Sequence, residues 1–171
     1  MIKTVLLLFA LSTFSLAQVL GDPLSLTQRA FNAKSVEMHN TILSDAQVAE
    51  LSKRSMQKID SKLYRLYLAQ NGDKTIGYGV LMNKKVRTKT AIALYLIGID
   101  GKIKSIEIVA FNEPMEYLPS KTWLNVFDQK SSANVLKLNQ DIPTTTGATL
   151  SARAITDGAR AALALLDIAK P

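Results

Sequence analysis

Two dipeptides, Asn71-Gly72 and Asp100-Gly101, do most to limit how this chain can fold. Each is a favoured two-residue hairpin turn, because its residues tolerate positive φ, and each separates runs of strand character. Ahead of the first, Tyr64, Leu66 and Leu68 alternate with Arg65, Tyr67 and Ala69, and a second strand is expected near 75–82. Residues 91–99 are almost continuously apolar, as in a central strand buried on both faces. After Asp100-Gly101, Ile106, Ile108 and Ala110 point to one face of a fourth strand, with Lys104, Ser105 and Glu107 on the other face or the edge. The expectation is a four-stranded antiparallel meander.

Helical periods flank it. Residues 24–34 read as a short helix after the Gly21-Asp22-Pro23 break, and Ser44-Asp45-Ala46-Gln47 has capping-box spacing. Behind that box, Val48, Leu51, Met56 and Ile59 fall on one helical stripe, with Glu50 and Arg54 paired at i,i+4 outside it. Pro114 and Pro119 forbid ladder pairing over 112–119, which must be a shaped loop. Ser120 can cap a short helix carrying Trp123, Leu124 and Phe127, and the chain then crosses through 135–138. A long final helix is expected over about 151–169, with Ile155, Gly158, Ala159, Ala162, Leu165, Leu166 and Ala169 on one face. The fold class is α+β: an antiparallel sheet flanked by helices.

Residues 1–17 place Lys3 ahead of an apolar run and end in Ser15-Leu16-Ala17, small residues at the two positions read by a signal peptidase. The strongly apolar part, 5–11, is shorter than the ~20 residues a bilayer span requires, so cleavage is expected rather than anchoring. An exported, periplasmic protein, soluble after cleavage, follows. The chain has no cysteine, which excludes a lipid-bearing cysteine, disulfides, thiol nucleophiles, Cys-ligated zinc, iron–sulfur clusters and covalent haem. With 47% hydrophobic residues among 171, it can rely on an apolar core instead. The single histidine, His39, cannot build a His-rich metal site, and neither a catalytic set nor a metal site is expected.

The formal net charge of +7 favours phosphate groups, membrane surfaces or acidic proteins as partners. Nucleic acid is not expected, because the basic residues are not interleaved with stacking aromatics. The densest basic run, Lys84, Lys85, Arg87 and Lys89, is either a solvated connection that discourages edge pairing or a patch that steers phosphate or an acidic redox partner.

Before the last helix, residues 144–151 set four threonine hydroxyls and one serine hydroxyl around Gly147. Free N–H groups and a partial positive charge at a helix N-terminus, with a glycine that lets backbone approach closely, make an anion cradle. The other reading is an ordinary helix cap, where Ser and Thr are the usual residues. No Gly-Lys-[Ser/Thr] follows, so it is not a P-loop.

Thr146-Gly147-Ala148-Thr149, followed by Leu150-Ser151-Ala152-Arg153-Ala154-Ile155, resembles the attachment motif of the FMN-binding domain family. A second block, Ala110-Phe111-Asn112-Glu113-Pro114-Met115-Glu116-Tyr117-Leu118-Pro119, is similar to that of the family's small exported members, as are Gly77-Tyr78-Gly79, Val86-Arg87-Thr88 and Asp100-Gly101-Lys102-Ile103. The resemblance spans about 63–166. It implies an exported flavoprotein with FMN as cofactor, joined as a phosphodiester to the Thr149 hydroxyl by a flavin transferase that takes FMN from FAD. Electrons would then pass to and from redox partner proteins, some of them membrane-bound, with no substrate chemistry of its own. It also divides the chain into a signal peptide (1–17), an N-terminal helical segment packed on the domain (18–62) and the FMN-binding domain (63–171).

The resemblance assigns the phosphate end to Thr146, Gly147, Ala148, Thr149, Leu150 and Ser151, and the flavin ring to the loop holding Glu113, Pro114, Tyr117 and Leu118, with Arg87 as a further contact. In the loop, Pro114, Tyr117 and Leu118 would supply apolar contacts, and Glu113 or main-chain groups would bond polar ring edges. One position departs from the family pattern: an Asp belongs six residues before the acceptor, where this chain has Pro143, and Asp141 stands two residues too early. Two alternatives follow, a non-covalent flavin-binding module that has lost attachment and a cofactor-free periplasmic interaction module.

Overall fold

The computed structural model describes residues 18–171, so the expected leader lies outside the described residues. The elements are β1 (Gln18–Val19), α1 (Pro23–Phe31), β2 (Ser35–Ile42), α2 (Asp45–Ser55), β3 (Leu63–Asn71), β4 (Lys74–Lys85), β5 (Thr90–Gly98) and β6 (Ile103–Phe111). Then follow 3-10 turns at Met115–Tyr117 and Asn125–Phe127 on either side of α3 (Lys121–Leu124), and the long α4 (Thr149–Ala169). The class is α+β, as expected, and β3 to β6 form the anticipated meander.

The sheet is wider than the meander. Its six strands run in the order β1-β6-β5-β4-β3-β2, all antiparallel. Segment 18–62 therefore contributes two helices and, beyond the expected helical content, strands at both edges. Strand β2 pairs with β3 from Ser35↔Gln70 to Ile42↔Leu63, yet most of its side chains are exposed, so it carries little of the alternation that marks a strand buried on one face. The first hairpin is also displaced by one residue: Asn71 is the last paired residue of β3, opposite Lys74, and Gly72 takes the positive φ of 63°. The Asn71 side chain instead accepts a 2.9 Å bond from the N–H of Lys34.

Strand β5 lies inside the sheet and is buried on both faces, as its apolar run requires. Tyr95 and Ile97 face α4 and α2, while Leu94 and Leu96 face α1. In β6 a bulge leaves Val109 as an extra residue between Ile108 and Ala110, so Ile106 and Ile108 share the α4 face but the alternation breaks before Ala110.

Close approach fixes how the helices dock. Asp22 caps α1 by accepting bonds from the Ser25 N–H at 2.9 Å and its hydroxyl at 2.6 Å, and Pro23 opens the first turn. That helix lands on Gly77 and Gly79, where a Cβ would sit 2.2 Å from the Phe31 ring and 2.6 Å from Thr27 Oγ1. The capping box of α2 is formed reciprocally, with Ser44 N–H to Gln47 Oε1 at 2.9 Å and Gln47 N–H to Ser44 Oγ at 3.3 Å. The α2 stripe is shorter than its spacing suggests: Met56 takes a left-handed φ of 55°, ends the helix and points outward at 61% exposure, and Ile59 lies beyond it. Glu50 and Arg54 pair outside the stripe at 2.7 Å.

Helix α4 is buried nearly all round, because the sheet covers one side and α2 another. Tyr95, wholly buried, donates a 2.8 Å bond to the Ile155 carbonyl, and Gly158 leaves room for its hydroxyl. On the α2 side, Arg160 donates to the carbonyls of Ser55, at 3.0 Å, and Leu136 and pairs with Asp157, tying the end of α2 and the 128–148 loop to α4. Among the described residues no helix is long and apolar enough to cross a membrane.

Candidate functional site

Helix α4 begins without a side-chain cap. Asp22, Ser44 and Ser120 cap α1, α2 and α3, but Ala148 occupies the corresponding place before α4. The threonines ahead of it do not substitute, so the ordinary-cap reading fails and the first-turn N–H groups of Thr149, Leu150 and Ser151 have no acceptor among the described residues. Gly147, at φ 81°, turns the chain into the helix, a conformation open to glycine at little cost. Ser151 is 1% exposed, and its hydroxyl also has no hydrogen-bond partner. Thr149 is exposed, with Oγ1 donating a weak 3.2 Å bond to the Thr145 carbonyl.

Facing this helix end is the 86–89 turn between β4 and β5. It is closed by the Val86 N–H on the Lys89 carbonyl at 2.9 Å, and it is held by Glu113. One carboxylate oxygen, Oε1, accepts from the N–H groups of Arg87 at 3.2 Å, Thr88 at 2.7 Å and Lys89 at 2.7 Å, and from the Thr88 hydroxyl at 3.3 Å. The N–H groups of Lys89 and Thr88, more than the opposing effect of burial, hold the Glu113 carboxyl below its ordinary value. Pro114 then opens the 3-10 turn that carries Tyr117.

Between these walls lies a cleft of about 200 Å³. Of the residues named from sequence, Arg87, Glu113, Tyr117, Gly147, Ala148, Thr149, Leu150 and Ser151 line it together. Thr146 and Pro114 are exposed and Leu118 half-buried, all outside the lining. Glu113 serves the turn through Oε1. Val86 is a wall residue that the sequence marks only through the Val86-Arg87-Thr88 block. Lys84 does not belong to a solvated basic patch: it is half-buried, donates to Gln57, and burial depresses its pKa.

The departure at Pro143 is built into the fold. Its carbonyl accepts a 2.8 Å bond from the Trp123 indole, whose ring meets Phe127 edge-on at 5.3 Å. The neighbouring acid, Asp141, accepts from the N–H groups of Leu136 at 2.9 Å and Lys137 at 2.8 Å and is not free to replace the missing carboxylate. Burial works against its charge, but the Lys137 and Leu136 bonds reverse that and hold its carboxyl low.

Residues 90–164 match the family model of the FMN-binding domain. The chain contains an FMN-binding domain. Its cofactor is FMN, and the match runs from β5 through the Glu113 loop to the buried part of α4, so it includes the uncapped helix end and the Thr146-Gly147-Ala148-Thr149 motif. No curated protein and no solved structure matches the chain.

The residues present fit FMN. Free N–H groups at a helix start suit a phosphate, and the orphan Ser151 hydroxyl supplies one more donor at the same place. Val86, Tyr117 and Leu150 give the cleft an apolar side. Enclosed sites for drug-sized ligands usually measure ~300–1,000 Å³. At about 200 Å³ the cleft is smaller than that range.

Proposed function

We propose that this chain is an exported electron carrier whose FMN is joined to Thr149. The observation that carries the reading is the position of the Thr149 hydroxyl: exposed, on the first residue of an uncapped buried helix, beside the cleft that Val86, Tyr117 and Leu150 line. Attachment by a flavin transferase forms the bond between Thr149 Oγ1 and the FMN phosphorus, with FAD as donor, AMP as leaving group and the hydroxyl proton released to solvent. When bound, FMN supplies one- and two-electron redox chemistry. The chain's own residues hold the phosphate at α4, shape the wall with the Glu113-braced turn and leave an open side for redox partners, some membrane-bound. The leader-like residues 1–17 support export.

The test is intact mass after denaturation, with protein produced alongside an active flavin transferase. Wild type gains the mass of FMN less water, and Thr149→Ala does not. An unshifted wild type, with a control acceptor modified in the same cells, refutes covalent attachment.

A second reading, non-covalent FMN binding, is favoured by one observation. Pro143 stands where the family has its Asp, and the nearest carboxylate, Asp141, is occupied. Because Pro143 meets Trp123 through its carbonyl, Pro143→Asp keeps that bond. If attachment appears only in Pro143→Asp, the lost carboxylate explains a non-covalent wild type.

A further inference from the structure

Thr149 also lines a second groove, of about 460 Å³, that shares no other residue with the cleft. It carries Lys137, Arg153 and Arg160, against one carboxylate, Asp157. Asp157 is paired with Arg160, so those two cancel. The side chains of Lys137 and Arg153 form no ion pair among the described residues. The groove thus has a net positive charge that the fold itself does not use.

Arg153 stands four residues after Thr149 on α4. At that spacing two side chains share a helix face with about 5–6 Å between their Cβ atoms. Long helical side chains also lean toward the N-terminus, which brings the Arg153 guanidinium within reach of a group on Thr149. The two spaces meeting at Thr149 are chemically unlike. One has Val86, Tyr117 and Leu150 with Arg87 and Glu113 offsetting each other in charge, and the other has a surplus of cations.

We propose that the groove is a phosphate subsite in which Arg153, aided by Lys137, grips the phosphate of the flavin nucleotide from the side opposite the α4 N–H groups and so directs the ring into the cleft. The inference rests on the reading that places FMN at Thr149. A planar guanidinium matches two phosphate oxygens, and the helix N–H groups and Ser151 reach the remaining acceptors from the other side. Arg153 is a cofactor-binding residue that the attachment motif alone does not identify, and it decides for a phosphorylated flavin over an unphosphorylated one.

FMN and riboflavin, titrated by fluorescence quenching onto the full chain produced without a flavin transferase, separate the phosphate from the ring. Wild type should prefer FMN by about tenfold or more, as a charge-assisted contact allows. Arg153→Gln should lose most of that preference by weakening FMN while leaving riboflavin unchanged. Arg153→Lys should restore part of it, and added salt should shrink it. Thermal unfolding of the variants checks that the exposed substitution leaves the fold intact. A Gln variant that keeps the wild-type FMN-to-riboflavin ratio, or loses both flavins equally, overturns the subsite. Wild type that binds neither flavin overturns the subsite, whereas the flavin cleft itself stands or falls separately on the intact-mass test with the transferase.

Discussion

Glu113 Oε1 accepts a 2.7 Å hydrogen bond from the backbone N–H of Thr88, and the same oxygen also takes the N–H groups of the residues on either side of it. A carboxylate that would be costly to bury alone is thereby satisfied by the turn it organises. Ionised Glu113 braces the 86–89 wall of the cleft most strongly, because a charged oxygen accepts the three N–H groups better than a neutral one.

The pH dependence has a definite sign. The folded-state pKa of Glu113 is depressed below the ordinary 4.5, so its stabilisation is complete above that value and is lost as pH falls through the lower folded pKa. The amide signals of Thr88 and Lys89 should titrate together with a midpoint below 4.5. In Glu113→Gln they should lose that transition and exchange faster with solvent. A midpoint at or above 4.5 contradicts the brace.

Ser151 is expected to trade stability for binding. Its buried hydroxyl has no partner in the protein, so Ser151→Ala should stabilise the flavin-free chain by about 1 kcal/mol, the order of cost for an unsatisfied buried polar group. The same change should weaken FMN severalfold. Denaturant unfolding paired with an FMN titration reads both; a variant that is less stable and binds normally would show that the hydroxyl serves packing alone.

Gly158 and Tyr95 should be coupled. A Cβ on Gly158 would lie 2.1 Å from the Tyr95 hydroxyl, so Gly158→Ala should cost ~1–3 kcal/mol from overpacking. In a Tyr95→Phe background the cost should fall by at least ~0.5 kcal/mol, measured in a double-mutant cycle. Additive losses would place the strain elsewhere.

Much of this architecture was legible in the sequence, for physical reasons that differ by element. Residues 91–99 declared a central strand because a strand covered on both faces cannot afford polar side chains, and Ser44 to Gln47 declared a helix start because a capping box is local chemistry. Strand β2 was not legible: its pairing to β3 is complete, but an exposed edge places few constraints on side chains. The end of α2 at Met56 depends on a left-handed residue that the apolar stripe concealed.

The candidate site divides in the same way. Contiguous residues 147–151 stand together because they form one helix start, and the family-like motif marked them. That Glu113 bonds to the 86–89 turn, and that Arg153 shares a groove with Lys137, come from long-range packing, which no local pattern encodes.

FMN is proposed to lie between the start of α4 and the Glu113-braced turn. Amide chemical shifts of the flavin-free chain, followed by two-dimensional NMR as FMN is added, test it most directly. The largest changes are expected at Gly147, Thr149, Leu150, Ser151, Arg87 and Thr88, with the edge strand β2 unmoved. Shifts centred on β2, or saturable binding that leaves residues 147–151 unperturbed, would contradict it.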